Sequence, residues 1–227
     1  MRNITDFLER RPPMPTDTAT LDAFDSLYDD AVAAGPGTPI DYRLAPPRWQ
    51  FICHIADTRS VVLHGSGNPD ITRFEPRQPH DNTEFGNRNA VYAASDGLWP
   101  MYFAILDRDR YQISLINSAV RPIEADESLG EPLYFFSISD TALAARPWRR
   151  GTLYFLPRNT FEQQPAGEFG GIRAAVAQWA SAEPVTPLAR IEVGPEDFPL
   201  LHRIRGHDRE TTFARARANP DGFPWID

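Results

Sequence analysis

Lysine is missing from this sequence altogether: its 23 basic residues are all arginine and are scattered along the chain, so no basic tract stands out. Cysteine is nearly missing too. With Cys53 alone, neither an internal disulfide nor a cysteine-rich metal site can be assembled, and a reducing, cytoplasmic setting is expected. No segment offers 18 uninterrupted apolar residues, which argues against a membrane-spanning helix. The first fifteen residues carry Asp6, Glu9 and prolines where a secretory signal needs an apolar run. Positive charge is in deficit, with 31 acidic residues setting a net charge of −8. Such a surface repels a phosphate backbone, so generic duplex nucleic-acid binding is not expected, nor is a membrane partner. There is no Walker-type GK[ST] loop, no GxSxG elbow, no Gly-rich dinucleotide fingerprint, no internal repeat and no low-complexity tract.

What is present suits one globular core. Of 227 residues, 41% are hydrophobic and 24% charged, far from the profile of a disordered chain. The 22 prolines cluster at element borders, where they fix φ and end regular structure.

Leu21, Phe24, Leu27, Tyr28 and Val32 recur at helical spacing after Thr18 and Thr20, and the pattern stops at Gly35-Pro36-Gly37. A second helix opens at Pro46-Pro47, with Trp49, Ile52 and Ile55 on one face. Val61-Val62-Leu63 reads as a buried strand ending in His64-Gly65-Ser66, followed by a long polar loop to Asn89. A short strand over 90–93 leads, through the capping residues Ser95 and Asp96, into a helix with the stripe Leu98, Trp99, Tyr102, Phe103 and Leu106. Strands are expected over 111–117, 133–139 and 152–156, with a last one over 188–193. Residues 174–180 fit helix or strand, and Phe198, Leu201 and Ile204 suggest a terminal helix.

Helices at both ends and strands between, without βαβ alternation, predict an α+β fold with a mainly antiparallel sheet. The expected organisation is a single domain over 1–227, with a helical region at 1–59, a core at 60–194 and a helical segment at 195–227.

Two stretches carry chemistry: Val61-Val62-Leu63-His64-Gly65-Ser66, and Phe85-Gly86-Asn87-Arg88-Asn89-Ala90-Val91-Tyr92-Ala93-Ala94-Ser95 with Met101-Tyr102-Phe103-Ala104 beyond it. Their order resembles the His-Tyr-Glu group of ADP-ribosyltransferases, the diphtheria-toxin and poly(ADP-ribose) polymerase type. The resemblance implies a split, mainly antiparallel sheet and NAD as substrate, with no metal. It also implies that His64 holds the adenosine ribose, that Gly65, beside Ser66, offers its backbone to the nicotinamide amide, and that Tyr92 and Tyr102 sandwich the nicotinamide ring.

The residue types suit that task, because a flat amide-bearing ring needs aromatic faces and a glycine lets the backbone approach. Cleavage of the nicotinamide–ribose bond builds positive charge on the sugar, which a carboxylate stabilises. Glu183 before Pro184-Val185 is the expected catalytic residue, with Glu162 and Glu131 as weaker alternatives. The implied site has histidine, both tyrosines and carboxylate facing one pocket. Acceptors left open are protein, nucleic acid, a small molecule or water. The rival reading is a non-catalytic module that keeps the fold and binds a partner.

Other pairings carry less. Cys53 and His54 are neighbours whose side chains point apart, and His202 and His207 miss the spacing of a helical zinc pair. Arg73 and Arg77 could meet a pyrophosphate, though loop arginines are usually solvated.

Overall fold

The computed structural model describes residues 7–79, 84–169, 171–219 and 222–226. Its elements in chain order are β1 (Glu9–Arg10), α1 (Thr18–Ala33), β2 (Thr38–Pro39), α2 (Arg48–Thr58), β3 (Val61–Ser66), β4 (Val91–Ala94), α3 (Leu98–Ala104), β5 (Leu115–Pro122) and β6 (Leu133–Ser139). There follow α4 (Asp140–Ala145), β7 (Gly151–Pro157), β8 (Glu162–Gln163), β9 (Gly167–Phe169), β10 (Ile172–Val176), β11 (Gln178–Ser181), β12 (Ala189–Val193), β13 (Arg205–His207) and α5 (Arg209–Ala218). The architecture is α+β, with two mainly antiparallel sheets.

One sheet runs β2-β12-β7-β3-β4-β11-β8, and the other runs β1-β6-β5-β10-β9 with β13 also on β6. The β2–β12 and β6–β13 pairings are parallel. Both sheets and the helices share one main core. Leu63, Phe155 and Ile191 from the first sheet meet Ala119, Phe136 and Ile138 from the second, with Phe24, Phe51, Ile52 and Tyr102 supplied by helices.

Local chemistry explains most boundaries. The Asp17 carboxylate accepts the Thr20 N–H at 2.9 Å and starts α1. The helix stops before Gly35 and Gly37, whose φ values of 117° and 70° turn the chain where a side chain would be strained. Asp96 sits behind β4 and accepts both the Leu98 and Trp99 N–H groups at 2.8 Å, which places the start of α3.

Three expectations need correction. The 174–180 stretch is two strands broken at Ala177, where the chain leaves one sheet for the other. Ala177 N–H bonds Ala119 of β5, and its carbonyl accepts from Ser95. Phe198, Leu201 and Ile204 do not form a helix. They pack from two short 3-10 turns at Pro195–Asp197 and Leu201–Arg203, since Pro199 lacks the amide a continuous helix needs. The last helix is α5, and β13 follows β12. Nor are the flanks purely helical, because β1 pairs with β6, β2 with β12 and β13 with β6.

Candidate functional site

His64 lies on β3, between β7 on one side and β4 on the other. The β3–β7 ladder is long, from Val61↔Pro157 to Ser66↔Thr152. The β3–β4 pairing is a single rung, Leu63↔Ala94, after which β4 continues along β11 from Ala94↔Gln178 to Val91↔Ser181. The sheet therefore parts at His64.

The imidazole stands in that parting, with Nδ1 2.6 Å from the carbonyl oxygen of Tyr92. A carbonyl only accepts, so Nδ1 carries the proton and Nε2 presents a lone pair. Nε2 has no partner among the described residues. Burial holds this imidazole below the ordinary histidine value; the bond to Tyr92 works against that, and the charges of Arg108 and Arg77 add to it. His64 is thus a neutral hydrogen-bond acceptor at physiological pH.

Strand alternation then sorts the neighbours. Residues paired in register share a face, and successive residues alternate. His64 shares a face with Tyr154, its partner on β7, and with Val91 and Ala93 of β4. Tyr92 points to the other face, beside its partner Ala180 and in line with Glu162 on β8. So the two rings do not face one pocket: Tyr92 meets His64 through its backbone, while its side chain lies across the sheet.

On the His64 face, Phe74 leans on the imidazole with ring centroids 4.7 Å apart. It belongs to an apolar cluster with Val62, Val91, Tyr154, Leu156 and Val185. Tyr154 ties down the loop beyond β3, donating to the Asn68 carbonyl at 2.6 Å and accepting the Ile71 N–H at 3.1 Å. Phe74 is itself bridged to Val185 by two backbone hydrogen bonds. That brings the 183–185 segment over the same face. Glu183 is exposed there, with its backbone N–H and carbonyl both at Ser181 Oγ.

On the Tyr92 face, the phenol oxygen gathers the loop before β4, within 2.8 Å of the Phe85 carbonyl and accepting the Arg88 N–H at 2.8 Å. The Arg88 guanidinium stacks over Phe85 and pairs with Glu162 at 3.3 Å. Among the three candidate glutamates, Glu162 is the one this network ties to Tyr92. Glu131 lies ahead of β6 in the other sheet.

Gly65 has a packing role of its own. A Cβ there would stand 1.8 Å from the Pro100 carbonyl oxygen, so α3 rests directly on the β3 backbone. Ser66 Oγ accepts the Asn68 N–H at 3.1 Å and shapes the turn that follows.

Tyr102 is not at the parting. It is fully buried between the sheets, donates to the Ser137 carbonyl at 3.0 Å and packs on Phe136 and Phe198. The helical stripe that singles it out is a core stripe, and a second ring beside nicotinamide is not supplied from this position.

The remaining sequence candidates behave as structural groups. Cys53 is buried against Gly97 and its thiol is pushed up by burial, while His54 pairs with Asp25 at 3.0 Å. His207 is buried between Ser137 and Ser114, His202 is exposed, and Arg73 pairs with Glu75. Among the described residues no cluster of metal-ligating side chains occurs, and no helix is long and apolar enough to cross a membrane. A surface hollow of about 470 Å³ is lined by Leu143, Arg146, Trp148, Leu201, His202 and Ile204, none of them a residue of the parting.

Sequence reasoning missed Phe74, Tyr154, Arg88 and Arg108. None sits in a short motif with His64; Tyr154 joins it through pairing of distant strands, Phe74 through a loop that folds back.

The chain matches no protein-family model, no curated protein and no solved structure.

Proposed function

We propose that this chain binds NAD across the parting of β3 and β4 and cleaves its nicotinamide–ribose bond, passing ADP-ribose to an acceptor or to water. The observation that carries the reading is the His64–Tyr92 contact at the point where the sheet opens, with Nε2 left as an acceptor. A ribose hydroxyl donates to that nitrogen. Opposite faces for the two rings count against the single pocket that the resemblance implies, with His64 at the adenosine end of NAD and Tyr92 at the nicotinamide end. Of the nicotinamide contacts that the resemblance implies, Tyr92 is the one tyrosine ring next to the parting, and the Tyr92-side face of Gly65 is already covered by α3. The parting supports an ADP-ribosyltransferase-like split sheet.

In the reaction the bond from ribose C1′ to the pyridinium nitrogen breaks and its electron pair neutralises that nitrogen. Positive charge develops on the sugar, the acceptor oxygen or nitrogen attacks C1′, and the acceptor releases its proton. A carboxylate beside the sugar lowers the barrier. Glu162 attends the Tyr92 face and Glu183 the His64 face. Because bond cleavage occurs at the nicotinamide end, Glu162 takes the catalytic place that the sequence suggests for Glu183.

The apolar cluster on the His64 ring favours the second reading, a non-catalytic partner-binding module. Nicotinamide release from NAD, measured by chromatography for the parent, Glu162→Gln and Glu183→Gln, decides between them. Release lost in Glu162→Gln and kept in Glu183→Gln supports the assignment; the reverse returns the role to Glu183. No release from the parent in the presence of cell lysate, together with no NAD binding, leaves the module.

A further inference from the structure

The hollow lined by Leu143, Arg146, Trp148, Leu201, His202 and Ile204 lies apart from the parting proposed for NAD. Two segments build it. One is the end of α4 and the chain just after it, where Trp148 is bridged to Leu106 by backbone pairing. The other is the turn at Leu201–Arg203, ahead of β13. β13 and α4 are pressed together, since a Cβ on Gly206 would strike the Asp140 carboxylate and stand 3.4 Å from Leu143 Cδ2. Leu143, Trp148 and Leu201 are half-buried and packed on the main core, and Ile204 is buried in it. The wall of the hollow is therefore apolar and held from behind.

Arg146 is the unusual member of that wall. It ends α4 in the left-handed conformation, φ 53° and ψ 64°, with its N–H on the Leu143 carbonyl at 3.1 Å. Glycine fills such a position after a helix without strain, whereas arginine carries a backbone cost. What arginine adds is a guanidinium beside apolar side chains. Arg146 and His202 are both exposed, and among the described residues neither side chain makes an ion pair or a hydrogen bond.

We propose that this hollow binds a small amphipathic anion, its apolar body against Trp148, Leu143 and Leu201 and its carboxylate or sulfonate on Arg146 and His202. A volume of about 470 Å³ falls within the roughly 300–1,000 Å³ of small-molecule sites. The guanidinium fork and an imidazole N–H both donate, so an acid group is favoured over an amine. A protein partner fits less well. The exposed large apolar side chains among the described residues, Leu129 and Phe213, lie outside the hollow, so no apolar surface continues from it as the core of a protein interface requires.

Fluorescence titration of the full chain with anilinonaphthalene sulfonate, and with phenylnaphthylamine as the same ring system without the acid group, tests this. The parent takes up one sulfonate per chain, and excess NAD does not displace it. Arg146→Gln weakens the sulfonate about tenfold and the uncharged amine by less than about twofold. Arg146→Gly shows the same selective loss with a urea midpoint equal to the parent's or higher, because the left-handed position suits glycine. Trp148→Leu weakens both probes, while Arg217→Gln on exposed α5 changes neither. No saturable binding by the parent, displacement by NAD, or an equal loss of both probes in Arg146→Gln overturns the site. So does an Arg146→Gly variant that keeps the parent's sulfonate affinity or has a lower midpoint, which would give the arginine a packing role alone. None of these outcomes depends on nicotinamide release, so the NAD reading stands or falls separately.

Discussion

His64 Nδ1 donates to the main-chain oxygen of Tyr92 at 2.6 Å, so the histidine takes the place of a ladder rung where β3 and β4 separate. Removing the ring takes one donor from the Tyr92 carbonyl and removes Nε2 as an acceptor. His64→Ala is expected to lose about 1–3 kcal/mol of stability and to weaken NAD about tenfold or more; His64→Gln recovers part of the stability and less of the affinity. Urea unfolding and NAD titration on the same samples check both.

Tyr102 separates packing from ligand contact. Tyr102→Phe keeps the ring and deletes the hydrogen bond to Ser137, leaving a buried carbonyl with one partner fewer. The expected result is a stability loss of about 1 kcal/mol with NAD affinity unchanged. A tenfold fall in affinity with normal stability would return Tyr102 to the site.

Gly65→Ala tests the seat of α3. A methyl group would meet the Pro100 carbonyl oxygen at 1.8 Å, and backbone has no rotamer to escape into. The cost is expected at about 3 kcal/mol or above, seen as a lower denaturation midpoint with an unchanged slope.

Asp96 binds two helix amides and the Tyr134 hydroxyl at 2.6 Å, although burial lifts its carboxyl above the usual range. Asp96→Ala removes the cap and strands a buried phenol, an expected loss of about 2–4 kcal/mol. Tyr134→Phe, which leaves the cap in place, costs about 1 kcal/mol. Thermal unfolding of both variants gives the comparison.

Stability should fall on the acid side of neutrality. Burial lowers the folded-state values of His64 and His207, so the unfolded chain binds those protons first. The two contributions are complete above the unfolded-state value near 6.5 and are lost as pH drops below it, each by at most about 1.4 kcal/mol per pH unit. Denaturation between pH 5 and 8 should show a flatter profile in His207→Gln; an unchanged slope there would mean that His207 titrates alike in both states.

Legibility followed the range of the interactions. α1, α2 and β6 are set by local periodicity and caps, and the sequence marks them closely. β5 runs several residues later than the apolar pattern suggests, because its span is fixed by pairing with β6 from Leu115↔Ile138 to Val120↔Leu133. The break at Ala177 is invisible locally, since alanine suits either sheet; the amides of Ala177 and Ser95 decide it. At the candidate site, His64, Gly65 and Tyr92 are picked out by their order; the structure joins His64 to the Tyr92 main chain and sets the two rings on opposite faces. Which face each ring takes depends on the Leu63↔Ala94 register, which no local pattern encodes. The aromatic stripe of α3 reads alike for a ligand wall and for a core, and only the opposing sheet tells them apart.

One rung, Leu63↔Ala94, is all the ladder that joins the two halves of the seven-stranded sheet. Each half keeps its own ladder, β3 with β7 and β4 with β11. What holds the two ladders side by side is therefore packing more than pairing: Val62, Tyr154 and Leu156 on one side bury against Val91 and Ala93 on the other.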